Sequence, residues 1–452
     1  MDSTQIKTNK YLIKITIPVF IEILLGTLIG MIDQYMISTR SESAYNAIGQ
    51  SNQIINVFVI TFNVVAMAST ILISQNNGAH NIENSKRLYS LSVFVNVIFG
   101  VVVSVLLVFF NAPIFRWMNF TGDIFKDATV YITIIGGGMF LHSLALTYSA
   151  FFKANGLMKE SRYVTIIMNV VNVIGNALLI FGWFGLPELG IMGVAIASNI
   201  SKLVGVLLFV WLYKKQIGIK ISFKELRPFP FSSLKKMLGI GVPSAGESLS
   251  FNFAMVVIQK NVNKIALKTG QALIITAKTT VNLLYFISWI FAAAISSTTQ
   301  VIVGYMMGAG DIASIQKRYT SSRSIAMLLS FVGSLTLYLL AEPICSLFVS
   351  DPAVIAICKK ILFIDIFLEQ GRAVNMVTVR SLQACGDTKF PIVLGIIDAW
   401  IVAVLGGFVL GDIMGFGIYG VWCGMAADEI LRGVFFTIRW KRGKWQKMRL
   451  VG

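Results

Sequence analysis

The chain has 452 residues, of which 56% are hydrophobic and only 13% are charged. Soluble domains carry about 25% charged residues, so this composition excludes a soluble globular protein and predicts a polytopic membrane protein. The net charge of +17 would suit nucleic acid, but the placement of the basic residues explains it without such a partner. Two histidines and four cysteines without paired spacing indicate no metal cofactor.

The first apolar run extends from Tyr11 to Ser38 and is long enough for a helix to cross a bilayer. It lacks a small-residue cleavage site, so we interpret it as a membrane span and not as a signal peptide. Turn residues separate it from eleven further apolar runs. The twelve predicted helices cover residues 11–38, 52–74, 88–112, 127–152, 163–184, 190–213, 237–260, 278–304, 321–348, 357–383, 390–413 and 416–439.

The basic residues are distributed unequally between the two sides of the predicted membrane. The side that holds both termini has 26 of the 38 lysines and arginines, the other side has eight, and four fall within spans or at their edges. Because cytoplasmic loops are enriched in Lys and Arg, we predict a cell-membrane protein with both termini in the cytoplasm. The basic loops then face anionic lipid headgroups.

The chain is internally duplicated at an offset of 225–230 residues. The matches pair Pro18/Glu22 with Pro243/Glu247, residues 78–89 with 308–319, and residues 190–194 with 417–421. Each half has six predicted spans, so we expect two pseudo-symmetric six-helix bundles related by an axis along the membrane normal. The predicted organisation is an N-terminal bundle (1–213), a basic cytoplasmic linker (214–236) and a C-terminal bundle with a basic tail (237–452).

A duplicated helical bundle is typical of secondary transporters. The sequence contains no Gly-x4-Gly-Lys-Ser/Thr phosphate-binding loop, so uphill transport by this chain alone would draw on an ion gradient. The sequence shows no nucleophile–base pair and no metal-ligand cluster of the kind that would indicate an enzyme. A channel is a further class, but a pore usually needs polar faces on several helices. We therefore predict a transporter, and we expect it to act as a monomer.

Asp33 is an acid inside the first predicted span. A charge at the centre of a membrane helix costs about 2.5–3.5 kcal/mol, so we expect a compensating partner. Asn169, Asn172 and Asn176 lie on one face of helix 5, and Asn176 should lie at a similar depth to Asp33. Carboxylate and amide oxygens suit a hard cation such as Na⁺. A desolvated carboxylate can alternatively hold a proton.

These residues predict an ion-coupling site at Asp33, Asn172 and Asn176 that takes H⁺ or Na⁺. The alternative is that the asparagines only bond each other and the backbone. The predicted substrate cavity consists of Glu22, Glu247, Glu369 and Arg372, where cationic or amphipathic molecules would bind. Structural roles are the alternative here, because Glu369 and Arg372 at i, i+3 can neutralise each other.

Other intramembrane charges have simpler interpretations. We expect Lys202 to snorkel or to meet an acid, and Asp398 has no assigned role. Three side chains of helix 12 stand at i, i+3/i+4 spacing and are expected to pair internally: Asp428, Glu429 and Arg432.

Several segments together resemble the multidrug and toxic compound extrusion (MATE) family. They are the pattern Ile17-Pro18 … Ile32-Asp33, the pair Gly78-Ala79, and "NVVNVIGNALLIFGWFGLPELGIMGVAIAS" at 169–198. The segment "RSLQACGDTKFP" at 380–391 resembles one repeated in the family's second half. The match covers nearly the whole chain and is most specific in helices 5 and 6.

The resemblance implies an antiporter that expels organic cations or drugs in exchange for H⁺ or Na⁺. It also implies that Asp33 is the family's first-helix acid and that Asn172 and Asn176 are its helix 5 polar pair. Some members carry an acid where this chain has Asn176. Others use a helix 10 carboxylate at the position of Arg372, whereas here the acid, Glu369, lies one turn away.

A lipid-linked sugar flippase of the same broad superfamily is the alternative function. Lys202, Arg372 and Arg432 favour it, because such flippases have a strongly cationic cavity. The twelve spans and Asp33 argue against it.

Overall fold

The computed structural model describes residues 5–117, 120, 122–269 and 273–451. In these residues the chain is all-α, with fourteen α-helices and no strand. The helices are α1 (Asn9–Ser38), α2 (Glu42–Gly78), α3 (Ile82–Trp117), α4 (Gly122–Gly137), α5 (Met139–Ala154), α6 (Met158–Phe181), α7 (Ile191–Gln216), α8 (Phe231–Thr269), α9 (Leu273–Ala309), α10 (Ile312–Leu339), α11 (Ala341–Cys345), α12 (Pro352–Cys385), α13 (Lys389–Asp398) and α14 (Gly417–Lys441).

These helices correspond to the twelve predicted spans. Among the described residues, eight helical segments are long and apolar enough to cross a membrane, and the pair α4–α5 makes a ninth. The remaining long helices, α8, α12 and α14, carry more polar and charged side chains. Helix α10 and α13 with its continuation are among the eight, so the total is twelve. The prediction of an all-α polytopic membrane protein is confirmed.

Several helices are longer than the apolar runs that predicted them. Helix α2 begins at Glu42 and not at residue 52, because Ser41 caps it by accepting a hydrogen bond from the Ala44 backbone N–H at 3.1 Å. Helix α3 spans Ile82–Trp117, whereas the apolar run covered 88–112. Hydropathy marks the part of a helix that lipid would cover, and polar turns extend beyond it.

The predicted single helix over 127–152 is instead two helices, α4 and α5, bent by 47° at Gly138. The side chain of Asn199 from α7 enters this break. Its Nδ2 donates to the Ile134 carbonyl at 2.5 Å, and a Cβ on Gly138 would lie 2.1 Å from its Oδ1. A side chain inserted into the hydrogen-bond ladder kinks a helix. The bend therefore depends on a residue of a different helix.

Two predicted helices of the second half also differ in detail. The run 321–348 divides into α10, which ends at Leu339, and the short α11. Helix α13 continues in π-helical turns over Ala399–Gly406 and Val409–Ile413. This stretch is where α14 approaches most closely, since a Cβ on Gly424 would lie 2.5 Å from the Gly407 backbone nitrogen.

The chain separates into two compact units, one of residues 17–241 and one of residues 5–16 with 242–451. Each has its own apolar core. The core of the first unit includes Phe62, Leu107, Phe115 and Ile135. That of the second includes Val262, Ile361 and Trp422. The division of the chain at 214–236 and the internal symmetry stay predictions.

Small residues bring helices together beside the polar groups. A Cβ on Gly175 of α6 would lie 2.9 Å from the Ala197 Cβ of α7. A Cβ on Gly371 of α12 would lie 2.7 Å from the Glu429 backbone of α14. Close backbone approach at small residues is the usual basis of helix packing in lipid. These two crossings position the neighbouring side chains Asn176 and Arg372.

Candidate functional site

Asp33 of α1 is in direct contact with Asn176 of α6. The Asn176 Nδ2 donates to Asp33 Oδ1 at 2.5 Å, and the Ser198 hydroxyl of α7 is 3.5 Å from Asp33 Oδ2. Asp33 is half-buried, whereas Asn176 is fully buried. The carboxylate therefore has neutral donors on both oxygens, and it is the more accessible member of the contact.

Asn172 extends this network. Its Nδ2 donates to the Ser198 hydroxyl at 3.1 Å, and its Oδ1 lies 3.4 Å from Asn176 Nδ2. The third asparagine of the face, Asn169, instead donates to the Leu25 carbonyl of α1 at 3.1 Å. The structure thus brings Asp33, Asn172 and Asn176 together in the first unit, and it ties Asn169 to the same helix as Asp33.

The network has one unused acceptor. Asn176 Oδ1 is buried and has no hydrogen-bond partner among the described residues. A buried acceptor without a partner costs free energy, about 1–3 kcal/mol. A cation beside the site could take this oxygen as a ligand, and a proton on Asp33 could donate to it after the amide group turns, since Asn176 Nδ2 now faces the carboxylate. No group of three or more His, Cys, Asp or Glu side chains placed for a metal ion occurs in the described ranges.

Lys202 is a basic residue that acts electrostatically on this network. It lies one turn after Ser198 on α7 and interacts electrostatically with Asp33 and with His142. The structure gives no direct ion pair between Lys202 and Asp33 in the described residues. The carboxylate is thus influenced, but not neutralised, by a cation.

A second polar network lies in the second unit, between α12 and α14. Arg372 forms an ion pair with Glu369, and its Nε lies 3.4 Å from Glu429 Oε1. Arg432 forms an ion pair with Asp428 and lies 3.3 Å from Glu429. The predicted helices 10 and 12 correspond to α12 and α14. The Glu369–Arg372 pairing, which was the structural alternative, and the pairing expected in helix 12 are both present. The structure adds the link between the two helices through Arg372 and Glu429.

Three carboxylates in this network share two guanidinium groups. All three acids are almost fully buried, and Glu429 also accepts a hydrogen bond from Asn375 at 2.8 Å. Four buried carboxylate oxygens of this region have no hydrogen-bond partner in the described residues: Glu369 Oε2, Asp428 Oδ1, Asp365 Oδ2 and Asp398 Oδ2. The network is therefore richer in acid than in base.

Glu22 and Glu247 have different surroundings, although they are symmetry-related in sequence. Glu22 pairs with Lys153 at 2.9 Å and accepts a hydrogen bond from Ser149 at 3.1 Å. Glu247 is half-buried, and a Cβ on Gly395 would lie 2.9 Å from its Oε1. It interacts electrostatically with Arg380 and Arg432. The acids predicted for the substrate cavity thus have basic neighbours.

Sequence reasoning missed several partners of these acids. Ser198 is the most important, because it contacts both Asp33 and Asn172. Its position one turn before Lys202, on the same face of α7, is a signal that could have found it. Lys153, Ser149 and Asn375 carry no such signal, since only the tertiary fold brings them to their carboxylates.

Comparisons with known proteins identify the family. The sequence model of the MatE family matches residues 18–178 and 243–409. The uncharacterized transporter YisQ of Bacillus subtilis is 32% identical over 434 residues, which cover 96% of this chain and 94% of YisQ. The probable multidrug resistance protein NorM of Thermotoga maritima is 27% identical over 443 residues, 98% of this chain and 94% of NorM.

The fold agrees with this match. A crystal structure of a MATE protein in its bent conformation superposes with a TM-score of 0.89 at 18% identity, covering 98% of this chain and 97% of that chain. The match to the family model covers more than half of the sequence in two segments, one in each half of the chain. The chain therefore belongs to the multidrug and toxic compound extrusion (MATE) family of membrane transporters.

Proposed function

We propose that this protein is an antiporter that exports organic cations or drugs in exchange for H⁺ or Na⁺. The observation that carries the proposal is the Asp33 carboxylate, held by two neutral donors next to the buried, unpartnered Asn176 Oδ1. Similarity to NorM of Thermotoga maritima, a probable multidrug resistance protein, supports the substrate class.

The coupling ion changes the charge of a contact between three helices. When H⁺ or Na⁺ is on Asp33, the carboxylate is neutralised and Asn176 Nδ2 no longer faces an anion. When the ion leaves, the anion again needs the donors from Asn176 and Ser198. The packing of α1 against α6 and α7 can therefore differ between the two states. A coupling ion acts in this way only if it binds the two packings with different affinity.

The substrate cavity is the less direct part of the proposal. Glu22, Glu247 and Glu369 with Arg372 are the residues proposed to meet a cationic substrate. Because Glu22 pairs with Lys153 and Glu369 pairs with Arg372, an incoming cation would compete with an internal base. Such competition would make substrate binding depend on the rearrangement of an ion pair and not only on an open negative site.

The same pairing weighs against the flippase alternative. Of the three bases that favour a flippase, Arg372 and Arg432 each have a carboxylate partner, whereas Lys202 has no direct ion pair among the described residues. Two of the three bases are therefore already compensated within the second unit. For the whole protein we further propose a cell-membrane location with both termini in the cytoplasm, and action as a monomer. Labelling of a cysteine placed at Lys220 or Lys444 from outside the cell would contradict this orientation.

The test replaces Asp33 by Asn, which keeps the volume and removes the charge. Purified protein in liposomes is given separate Na⁺ and pH gradients, and efflux of a fluorescent organic cation is measured per folded molecule. Because an amide neither takes up a proton nor balances the charge of Na⁺, efflux by Asp33→Asn should fall to the level measured without an ion gradient. Asp123→Asn at an exposed position of the same unit is the matched control and should transport normally. Near-normal efflux by Asp33→Asn would end the coupling proposal.

A further inference from the structure

A groove of about 1050 Å³ lies in the second unit, and none of its lining residues belongs to either polar network. It is formed by the end of α10, by α11, and by the first turns of α12 and α14. Its floor is mostly apolar and includes Tyr338, Ile355, Phe363 and Ile364. The rings of Tyr338 and Phe363 are 5.5 Å apart, so these side chains of α10 and α12 are in contact within the groove.

The rim of the groove carries three charged side chains, Glu342, Lys359 and Lys360. Lys359 Nζ forms an ion pair with Glu342 Oε1 at 2.6 Å. Lys360 is exposed, and its amino group lies 5.7 Å from the Tyr419 ring centre. No carboxylate pairs with Lys360 among the described residues. With Glu342 ionised, the rim has one net positive charge.

The charge and the apolar surface follow one another along a single helix face. Lys359, Phe363 and Phe367 lie at i, i+4 and i+8 of α12, which places them one above the other. The separation from first to last is about 12 Å at 1.5 Å per residue. Phe363 and Phe367 are half exposed, and their rings are 5.6 Å apart. This face changes from basic to aromatic in the same order as a phospholipid changes from phosphate to acyl chain.

We propose that this groove binds one anionic phospholipid. The headgroup phosphate would lie between Lys360 and Lys359, beside Tyr419, and an acyl chain would lie along Ile364 and Phe363. Large apolar side chains next to the groove, Leu339 and Leu347, are exposed and would contact the surrounding lipid. The net positive rim selects an anionic over a zwitterionic headgroup. This inference goes beyond ion coupling and does not depend on it.

The test measures retained lipid on the full-length purified chain. Delipidated protein is incubated with phosphatidylglycerol or with phosphatidylcholine of identical acyl chains, and bound lipid per protein is quantified. The unmodified chain should retain more phosphatidylglycerol. Each lysine near an anionic headgroup contributes enough to predict a loss of about fivefold on removal. The variant Lys359→Gln/Lys360→Gln should therefore lose the preference, whereas Lys360→Arg keeps the charge and should retain it.

Two further variants separate this site from general membrane charge. Lys126→Gln, an exposed lysine of the first unit, is the matched control and should retain the lipid. Ile364→Trp fills the floor of the groove and should lower retention with both lysines present. Equal retention by the double lysine variant and the control would overturn the proposal. Displacement of the lipid by inorganic phosphate alone, or by a fluorescent organic cation, would overturn it in favour of an anion site or a substrate site.

Discussion

Removal of the Arg372 guanidinium should destabilise the second unit more than any loss of a surface charge. Arg372 is paired with Glu369, whose side chain is fully buried, and it also contacts Glu429. Breaking a buried pair by deleting one partner costs about 3–5 kcal/mol, because it leaves an uncompensated charge. Glu429 keeps its contact with Arg432, so the stranded group is chiefly Glu369. We therefore expect Arg372→Met to cost about 3 kcal/mol.

The assay is equilibrium unfolding in mixed micelles, with a double-mutant cycle. Arg372→Met/Glu369→Gln removes the stranded charge and should recover a large part of the lost free energy, which measures the coupling of the pair. Lys126→Met breaks an exposed pair with Asp123 and should cost at most about 1 kcal/mol. If Arg372→Met unfolds at the same denaturant concentration as the unmodified chain, Glu369 is not held as an anion by Arg372 and the reasoning fails.

Two further predictions concern packing and pH. Gly424→Ala places a methyl group 2.5 Å from the Gly407 nitrogen and should lower the free energy of unfolding by about 1–3 kcal/mol. The control Gly246→Ala places its methyl group in open space and should not be destabilising. Equal effects of the two substitutions would refute the close crossing. Outside the spans, the hydrogen bond from Lys7 lowers the pKa of Asp311 from its ordinary value of 3.8. The ionised Asp311 therefore stabilises the fold at pH values above 3.8, and this stabilisation is lost as the pH falls through the lower pKa of the folded state. Asp311→Asn should remove this loss from a melting curve measured against pH, and an unchanged pH profile would contradict it.

The sequence predicted the local parts of the fold and of the site. The length and composition of the apolar runs were enough for the helices, and the 3.6-residue period was enough to place Asn172 and Asn176 on one face. The Glu369–Arg372 and Asp428–Arg432 pairs follow from i, i+3 and i, i+4 spacing in the same way. These features depend on residues one or two helical turns apart.

The parts that the sequence did not predict depend on contacts between distant residues. The bend at Gly138 needs Asn199, and the pairing of Glu22 needs Lys153. Hydropathy likewise does not predict the break between α10 and α11 or the π-helical turns after α13. Periodicity and composition report on the face of one helix, whereas these features depend on which helix lies beside it.

The intramembrane acids of the two units have different kinds of hydrogen-bond and ion-pair partners, and this difference supports the proposal that Asp33 is the coupling residue. In the second unit Glu369, Asp428 and Glu429 share two arginines, so the loss or gain of one proton leaves most of the pairing intact. Asp33 has only amide and hydroxyl donors at hydrogen-bond distance. One bound ion therefore neutralises the carboxylate itself, and Lys202 acts on Asp33 only through a longer-range electrostatic interaction. A large change of state caused by a single bound ion is what coupling to a gradient requires.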